Sequence, residues 1–188
     1  MKQITVLAAS VLLLVCADAG AADASAPASW VVTDAIVGSP LRQASLSGQG
    51  KVGKAVFPVA LTLTCRADQP VMHLTLEVPD SIPGWDVAPF EGPQGMGQRR
   101  SMLSVLMKGS RYVSTYRTSG WHSDGGHFNF GWTPDEAFLE RVPVTGTHLL
   151  VKIEPAKRIY KELEARFDFP SDASAMLAAM SSCRAEGK

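Results

Sequence analysis

The stretch LTLTC at residues 61–65 decides the fold class, because apolar and polar residues alternate in it with the period of a β-strand. One face of such a strand is apolar and includes the cysteine. The stretch LTLEV at residues 74–78 repeats the pattern. We therefore predict two strands that share one face of a common core.

Further short apolar stretches alternate in the same way or are rich in β-branched and aromatic residues, which also favours strands. With few helical patterns between them, the strands predict a mainly β, single-domain β-sandwich with one disulfide. Including the two strands above, the predicted strands cover residues 30–37, 55–66, 71–78, 102–107, 111–121, 127–132, 148–154 and 164–169.

A tight turn and two helices complete the predicted fold. The sequence DGG at residues 124–126 supplies the positive φ angles of a hairpin turn, so residues 111–132 are expected to form one hairpin. Thr133 and the proline and glutamate after it predict a short helix over residues 134–141. A C-terminal helix is expected to bury Met176, Met180 and Cys183, which recur at helical spacing.

Two long segments are predicted as irregular loops, and one of them as a binding surface. The first, at residues 39–54, ends in GQGKVGK, which nearly matches a phosphate-binding loop. Because Ala55 follows the lysine and a strand follows the glycines, we predict a glycine-rich turn instead. Residues 79–100 are rich in proline and glycine, yet they contain the large apolar side chains of Ile82, Trp85 and Phe90. We predict that they bind a partner or, alternatively, that the aromatic rings cap the core. The partner-binding residues predicted in this segment are Trp85, Phe90, Arg99 and Arg100.

The N-terminus has the pattern of an export signal. An apolar run of signal-peptide length follows Lys2, and small residues of the A-x-A form follow the run. We expect cleavage of a signal at residues 1–22, a disordered linker at 23–29 and one domain at 30–188. Two cysteines then remain, and in an oxidising compartment we expect a Cys65–Cys183 disulfide rather than free thiols. These features favour a periplasmic location.

Charge and local motifs exclude several kinds of site. The chain has 18 basic and 18 acidic side chains without a strongly biased segment, which argues against nucleic acid or an anionic membrane as the main partner. No apolar run after the signal approaches the roughly 20 residues that span a bilayer, so no membrane insertion is expected. His122, Asp124 and His127 surround the predicted turn, but they lack an evident third rigid ligand, so no metal and no cofactor are expected. Because no nucleophile elbow or paired acid and base is evident, we predict no enzymatic activity.

A second possible binding element lies between two predicted strands. The sequence KGSRY at residues 108–112 resembles the S-G-x-x-Y loop that periplasmic lysozyme inhibitors insert into their target, with Lys108 in place of the serine. The candidate binding residues are Ser110, Arg111 and Tyr112. The alternative is an ordinary corner between strands.

Several short motifs follow one another along the predicted domain. They are Trp30, Ser39-Pro40-Leu41, Cys65, Tyr116-Arg117, Trp121, Leu149-Leu150-Val151 with Pro155, Phe167-Asp168, and Leu177 with Cys183. Their order resembles the periplasmic type VI secretion-associated family called VasI or TagO. That resemblance implies a non-enzymatic envelope protein beside a secretion apparatus, with no catalytic residues to carry over.

Three functions follow from these observations. The leading hypothesis is a periplasmic protein-interaction domain associated with a type VI secretion system, whose partner is another envelope or secreted protein. The second is an inhibitor or immunity protein that blocks a peptidoglycan-degrading enzyme or toxin. The third is a small hydrolase with an unrecognised site.

Overall fold

A computed structural model describes residues 29–34, 41–66, 69–108, 112–141 and 147–183 of the 188-residue chain. The predicted signal peptide and all of the predicted linker except Ser29 lie outside these residues. The described part is mainly β, as predicted, with short helices and a C-terminal helix.

Ten antiparallel strands form one sheet in the described part of the chain. The strand order is β6-β5-β9-β10-β2-β3-β4-β8-β7, and β1 pairs separately with β2. The strands are β1 (Val31–Asp34), β2 (Leu41–Val52), β3 (Ala55–Arg66), β4 (Gln69–Pro79), β5 (Leu103–Lys108), β6 (Tyr112–Tyr116), β7 (Ser119–Ser123), β8 (His127–Trp132), β9 (His148–Ile153) and β10 (Leu163–Asp168).

The sheet curls strongly, and its shape corrects the predicted β-sandwich. Instead of two separate sheets, hydrogen bonding runs from β6 to β7 without a break and forms a half-barrel. The edge strands β6 and β7 are joined by only Arg117 and Thr118, so the two edges lie within about 11 Å of each other at that corner. Strand twist accumulated across the sheet lets one sheet enclose its own core.

The core is lined by the alternating residues that the sequence indicated. On β3 and β4, Leu61 pairs directly with Leu76, and Leu63 with Leu74. All four of these leucines are buried, as is Cys65 in the next inward position of β3. The prediction that these two strands share a core face is confirmed.

Strand β2 corrects the prediction of a loop over residues 39–54. It pairs with β3 along its whole length and with β10 through its last four residues. Its glycines allow large neighbours to approach, since a Cβ at Gly48 would stand 2.4 Å from the Phe167 ring and one at Gly50 would stand 2.3 Å from Phe57. The predicted glycine-rich turn does occur, at Gly53 (φ +58°) between β2 and β3.

The predicted hairpin over residues 111–132 is correct only for its second half. Strands β7 and β8 form a hairpin whose turn contains Gly125 (φ +84°) and Gly126 (φ +77°). Residues of β6, in contrast, pair with β5 at the opposite edge of the sheet. The chain changes edge at Thr118, which is fully buried and donates from Oγ1 to the Gly131 carbonyl at 3.0 Å.

The helices lie close to their predicted places. After the 3₁₀ turn Ala88–Phe90 and the short α1 (Met96–Arg99), helix α2 covers Glu136–Arg141. Asp135, not Thr133, provides the side-chain cap of α2, because its Oδ1 accepts the Phe138 N–H at 2.8 Å.

The C-terminal helix α3 (Ser174–Met180) continues into a 3₁₀ turn, Ser181–Cys183, and buries Met176, Met180 and Cys183 as predicted. The Cys65–Cys183 disulfide forms, with the two Cα atoms 5.7 Å apart, and ties this end of the chain to β3.

Candidate functional site

The segment at residues 79–100 folds against the core. Phe90 is fully buried and Trp85 is 8% exposed, and their rings stack with centroids 6.0 Å apart. The Phe90 ring then meets Phe130 of β8 edge to face at 5.4 Å. This arrangement corresponds to the alternative in which the two rings cap the core, and a role for them in partner binding stays a prediction.

The two arginines predicted with them lie elsewhere. Arg99 and Arg100 are exposed at the end of α1. The Arg99 side chain donates two hydrogen bonds to the Gln94 carbonyl, at 3.1 and 2.9 Å, which hold it along its own loop. The structure does not bring these arginines together with Trp85 and Phe90 in one exposed surface.

Of the second predicted binding element, the structure describes only Tyr112; Ser110 and Arg111 lie outside the described residues. Tyr112 is 7% exposed, and its hydroxyl bonds to the Tyr116 hydroxyl and donates to Asp135 Oδ1 at 2.8 Å. Ser114 donates to the other carboxylate oxygen of Asp135 at 3.0 Å. These contacts connect the edge strand β6 to the start of α2.

Burial and hydrogen bonding set the ionisation of this cluster. Burial raises the pKa of Tyr112 far above its ordinary value, and hydrogen bonds to Tyr116 and Asp135 act in the same direction. Burial opposes ionisation of Asp135, but hydrogen bonds from Tyr112, the Phe138 N–H and Ser114 outweigh it and lower the pKa of the carboxyl. The cluster therefore holds a carboxylate and a neutral phenol, an arrangement suited to joining two elements.

The turn residues His122, Asp124 and His127 have different surroundings. His122 packs edge to face on Phe128, with ring centroids 5.0 Å apart, while Asp124 is exposed. Among the described residues, no three histidine, cysteine or acidic side chains are grouped closely enough to hold a metal ion. The described geometry therefore offers no three-ligand set around His122, Asp124 and His127.

A groove on the outer face of β4, β8 and β7 contains a feature that the sequence did not single out as a site. We call it the Trp121 groove; it has a volume of about 490 Å³. Trp121 is 42% exposed there, although it lies on a regular strand. The polar residues that line it include His73, Thr75, Gln98, Arg117, Ser119 and Thr133.

The position of the Trp121 ring is fixed from below by a glycine. A Cβ on Gly131 would stand 2.7 Å from Cζ3 and 2.8 Å from Cη2 of Trp121, so the indole lies against the bare backbone of β8. Any side chain at residue 131 would push the ring away. The sequence therefore builds a flat aromatic surface from one tryptophan and one glycine on neighbouring strands.

Neighbouring polar groups are also held in place. Thr133 Oγ1 and His73 Nδ1 are 3.3 Å apart across β8 and β4. The backbone N–H of Thr118 donates to the Gly97 carbonyl at 3.0 Å, which fixes the segment between Arg117 and Ser119 against α1. Trp132, which is 4% exposed and borders the groove, has an indole N–H without a hydrogen-bond partner in the described structure.

The lining of the groove is mostly polar around its exposed ring. Its described lining contains neutral hydroxyl and amide groups, one arginine and one histidine, and no carboxylate. An exposed ring beside convergent polar groups is typical of a recognition site. The alternation of Gly120 with Trp121 and of Phe130 with Gly131 is a sequence signal for this surface. It can be interpreted only when the register of β7 and β8 is known, because the register brings Trp121 over Gly131.

The described part of the chain contains no helix with the length and apolar character needed to cross a bilayer. Comparisons of the chain with protein families, with curated proteins and with solved structures find no match. The resemblance to the VasI or TagO family therefore stays a prediction.

Proposed function

We propose that the protein is a non-enzymatic binding domain of the bacterial envelope, associated with a type VI secretion system, and that the Trp121 groove is its recognition surface. The observation that carries this proposal is the exposed Trp121 ring, held against Gly131 among polar side chains. An exposed, rigid aromatic ring loses little conformational freedom on binding, which is why such residues dominate recognition surfaces.

Location and secretion association rest on separate support. The disulfide is consistent with an oxidising compartment such as the periplasm, where the apolar N-terminal run would direct the chain. The link to type VI secretion rests on the family resemblance of residues such as Trp30, Cys65 and Trp121. Copurification of apparatus components with the tagged protein from intact cells would support that link, and their absence from a crosslinked preparation would count against it.

The binding role is tested by cosedimentation of the purified mature protein with isolated cell envelopes. We expect the wild-type protein to sediment with the envelopes and Trp121→Ala to remain in the supernatant, because the substitution removes the recognition ring. Ile159→Ala is the matched control, since Ile159 is 80% exposed and does not line the groove. Equal sedimentation of wild type and Trp121→Ala would overturn the assignment of the groove.

The inhibitor hypothesis receives less support from the geometry. A loop that enters an enzyme has to present its tyrosine, whereas Tyr112 is buried and its hydroxyl is occupied by Tyr116 and Asp135. We therefore place the inhibitor or immunity role second.

A further inference from the structure

We infer that the ligand of the Trp121 groove is a glycan, and specifically a chain of β-1,4-linked pyranoses. This inference rests on the proposed function, because it assumes that the groove is the recognition surface. It names a chemical class that differs from the protein partner expected from the sequence.

The first argument is the shape of the aromatic surface. The Trp121 ring lies against Gly131 on one side, and 42% of the residue is open to solvent. β-1,4-Linked pyranoses with equatorial substituents present flat faces of axial C–H groups. Such a face stacks on an indole, whose ring carries negative charge density toward the C–H hydrogens.

The second argument is the polar lining. Thr75, Ser119 and Thr133 supply hydroxyl groups, and Gln98 supplies an amide. These neutral groups donate and accept hydrogen bonds, as sugar hydroxyls do. With no carboxylate in the described lining, the groove does not favour a cationic ligand.

The third argument separates a glycan from a protein partner. Of the large exposed apolar side chains in the described residues, Trp121 alone lines the groove. The buried centre of a protein interface is more apolar than this, and aromatic anchors there are usually surrounded by other apolar contacts. A single ring surrounded by hydroxyl and amide groups, with Arg117 and His73 as further polar neighbours, fits one sugar face and its hydroxyls better.

Size and access agree with a short stretch of polymer. A volume of about 490 Å³ lies within the roughly 300–1,000 Å³ that small-ligand sites occupy. The groove is open to solvent at the sheet surface, so a bound chain can extend out of it.

The test is isothermal titration of the mature protein with two probes, the tetramer of β-1,4-linked N-acetylglucosamine and the tetramer of β-1,4-linked glucose. We expect at least one of them to bind the wild type, Trp121→Ala to weaken binding by about tenfold or more, and Trp121→Phe to restore part of it. Ile159→Ala should bind as the wild type does.

Gly131→Ala provides a second, independent variant. Its methyl group would displace the Trp121 ring without removing any ligand-contacting side chain, so binding should weaken by several fold while Trp121 is still present. Circular dichroism and thermal melting of each variant verify that it is folded.

Failure of this inference is distinguishable from failure of the proposed function. If neither tetramer binds, or if Trp121→Ala binds as tightly as wild type, the glycan assignment is wrong. If Trp121→Ala nevertheless loses cosedimentation with envelopes, the groove remains a recognition surface for another component. If wild type binds the tetramers but does not sediment with envelopes, the glycan assignment holds and the envelope-binding role is wrong.

Discussion

Trp85 and Trp121 are exposed to solvent to very different extents, and in neither case is it the extent that the local backbone suggests. Trp85 lies in a proline- and glycine-rich segment, yet it is 8% exposed and stacks on Phe90. Trp121 lies on the regular strand β7, yet it is 42% exposed. The difference shows that the direction of each side chain relative to the core, rather than the regularity of its backbone, decides whether a tryptophan is buried or exposed.

The largest expected effect comes from truncating the buried ring. Trp85→Ala should lower the free energy of unfolding by about 3–5 kcal/mol, because it leaves a cavity beside Phe90. Urea denaturation measures this, and glycan affinity of the folded fraction should be unchanged. A loss of affinity with unchanged stability would reverse the roles that we assign to the two tryptophans.

Removal of the disulfide should be next in size and should affect neither tryptophan directly. Cys183→Ser opens a link between residues 118 apart in sequence, which typically costs about 2–4 kcal/mol. Thermal melting of the variant against the oxidised wild type measures the loss. If the wild type and the variant melt together, the bridge contributes nothing to stability.

A smaller effect is expected at the crossing that positions Trp121. Thr118→Val keeps the side-chain shape but removes the hydrogen bond to the Gly131 carbonyl, at a cost of about 1–2 kcal/mol. Because Gly131 supports the Trp121 ring, we also expect a modest loss of glycan affinity. Affinity equal to wild type would show that the ring is positioned without help from Thr118.

The pH dependence of stability tests the cluster that joins β6 to α2. The pKa of Asp135 is lowered in the folded protein, so its contribution is present above the unfolded carboxyl pKa of about 4 and is lost as pH falls through the folded pKa. Asp135→Ala should cost about 1 kcal/mol at neutral pH. Asp135→Asn should retain most of the cap and flatten the acid side of the stability profile; an unchanged profile would exclude Asp135 as its source.

The smallest effect on stability is expected at the exposed ring. Trp121→Ala should lower the free energy of unfolding by less than about 1 kcal/mol, because the ring packs on the outer face of the sheet rather than in the core. Urea denaturation of Trp121→Ala and Trp85→Ala under the same conditions compares the stability contributions of the two rings directly. A loss of several kcal/mol would show that Trp121 holds β7 to β8 rather than serving recognition.

Sequence patterns predicted the fold where residues alternate strictly. The span of β3 over residues 55–66 and that of β8 over residues 127–132 were predicted to the residue. Strand β2 was missed because its serines and glycines have low strand propensity, and its glycines serve ring contacts with Phe57 and Phe167 that arise only in the folded sheet.

The candidate site was harder to predict for a related reason. Residues 111–121 form a continuous strand pattern, but the chain passes from one sheet edge to the other at Thr118, and no local signal marks that change. Without the pairing of β7 and β8, nothing places Trp121 on the outer face over Gly131. A local sequence pattern predicts which residues of a strand share a face. The groove depends in addition on which strands become neighbours, which the local pattern does not predict.

The pairing of β10 with β2 has a consequence for the time course of folding. Leu163 pairs with Val52, so one side of the long strand β2 acquires this neighbour only after most of the chain has been made. Contacts between residues so distant in sequence form slowly. Until β10 pairs with β2, the open edge of β2 can pair with strands of other chains. The Cys65–Cys183 bond, likewise, can close only after the C-terminal helix has been made, so it locks the sheet late in folding.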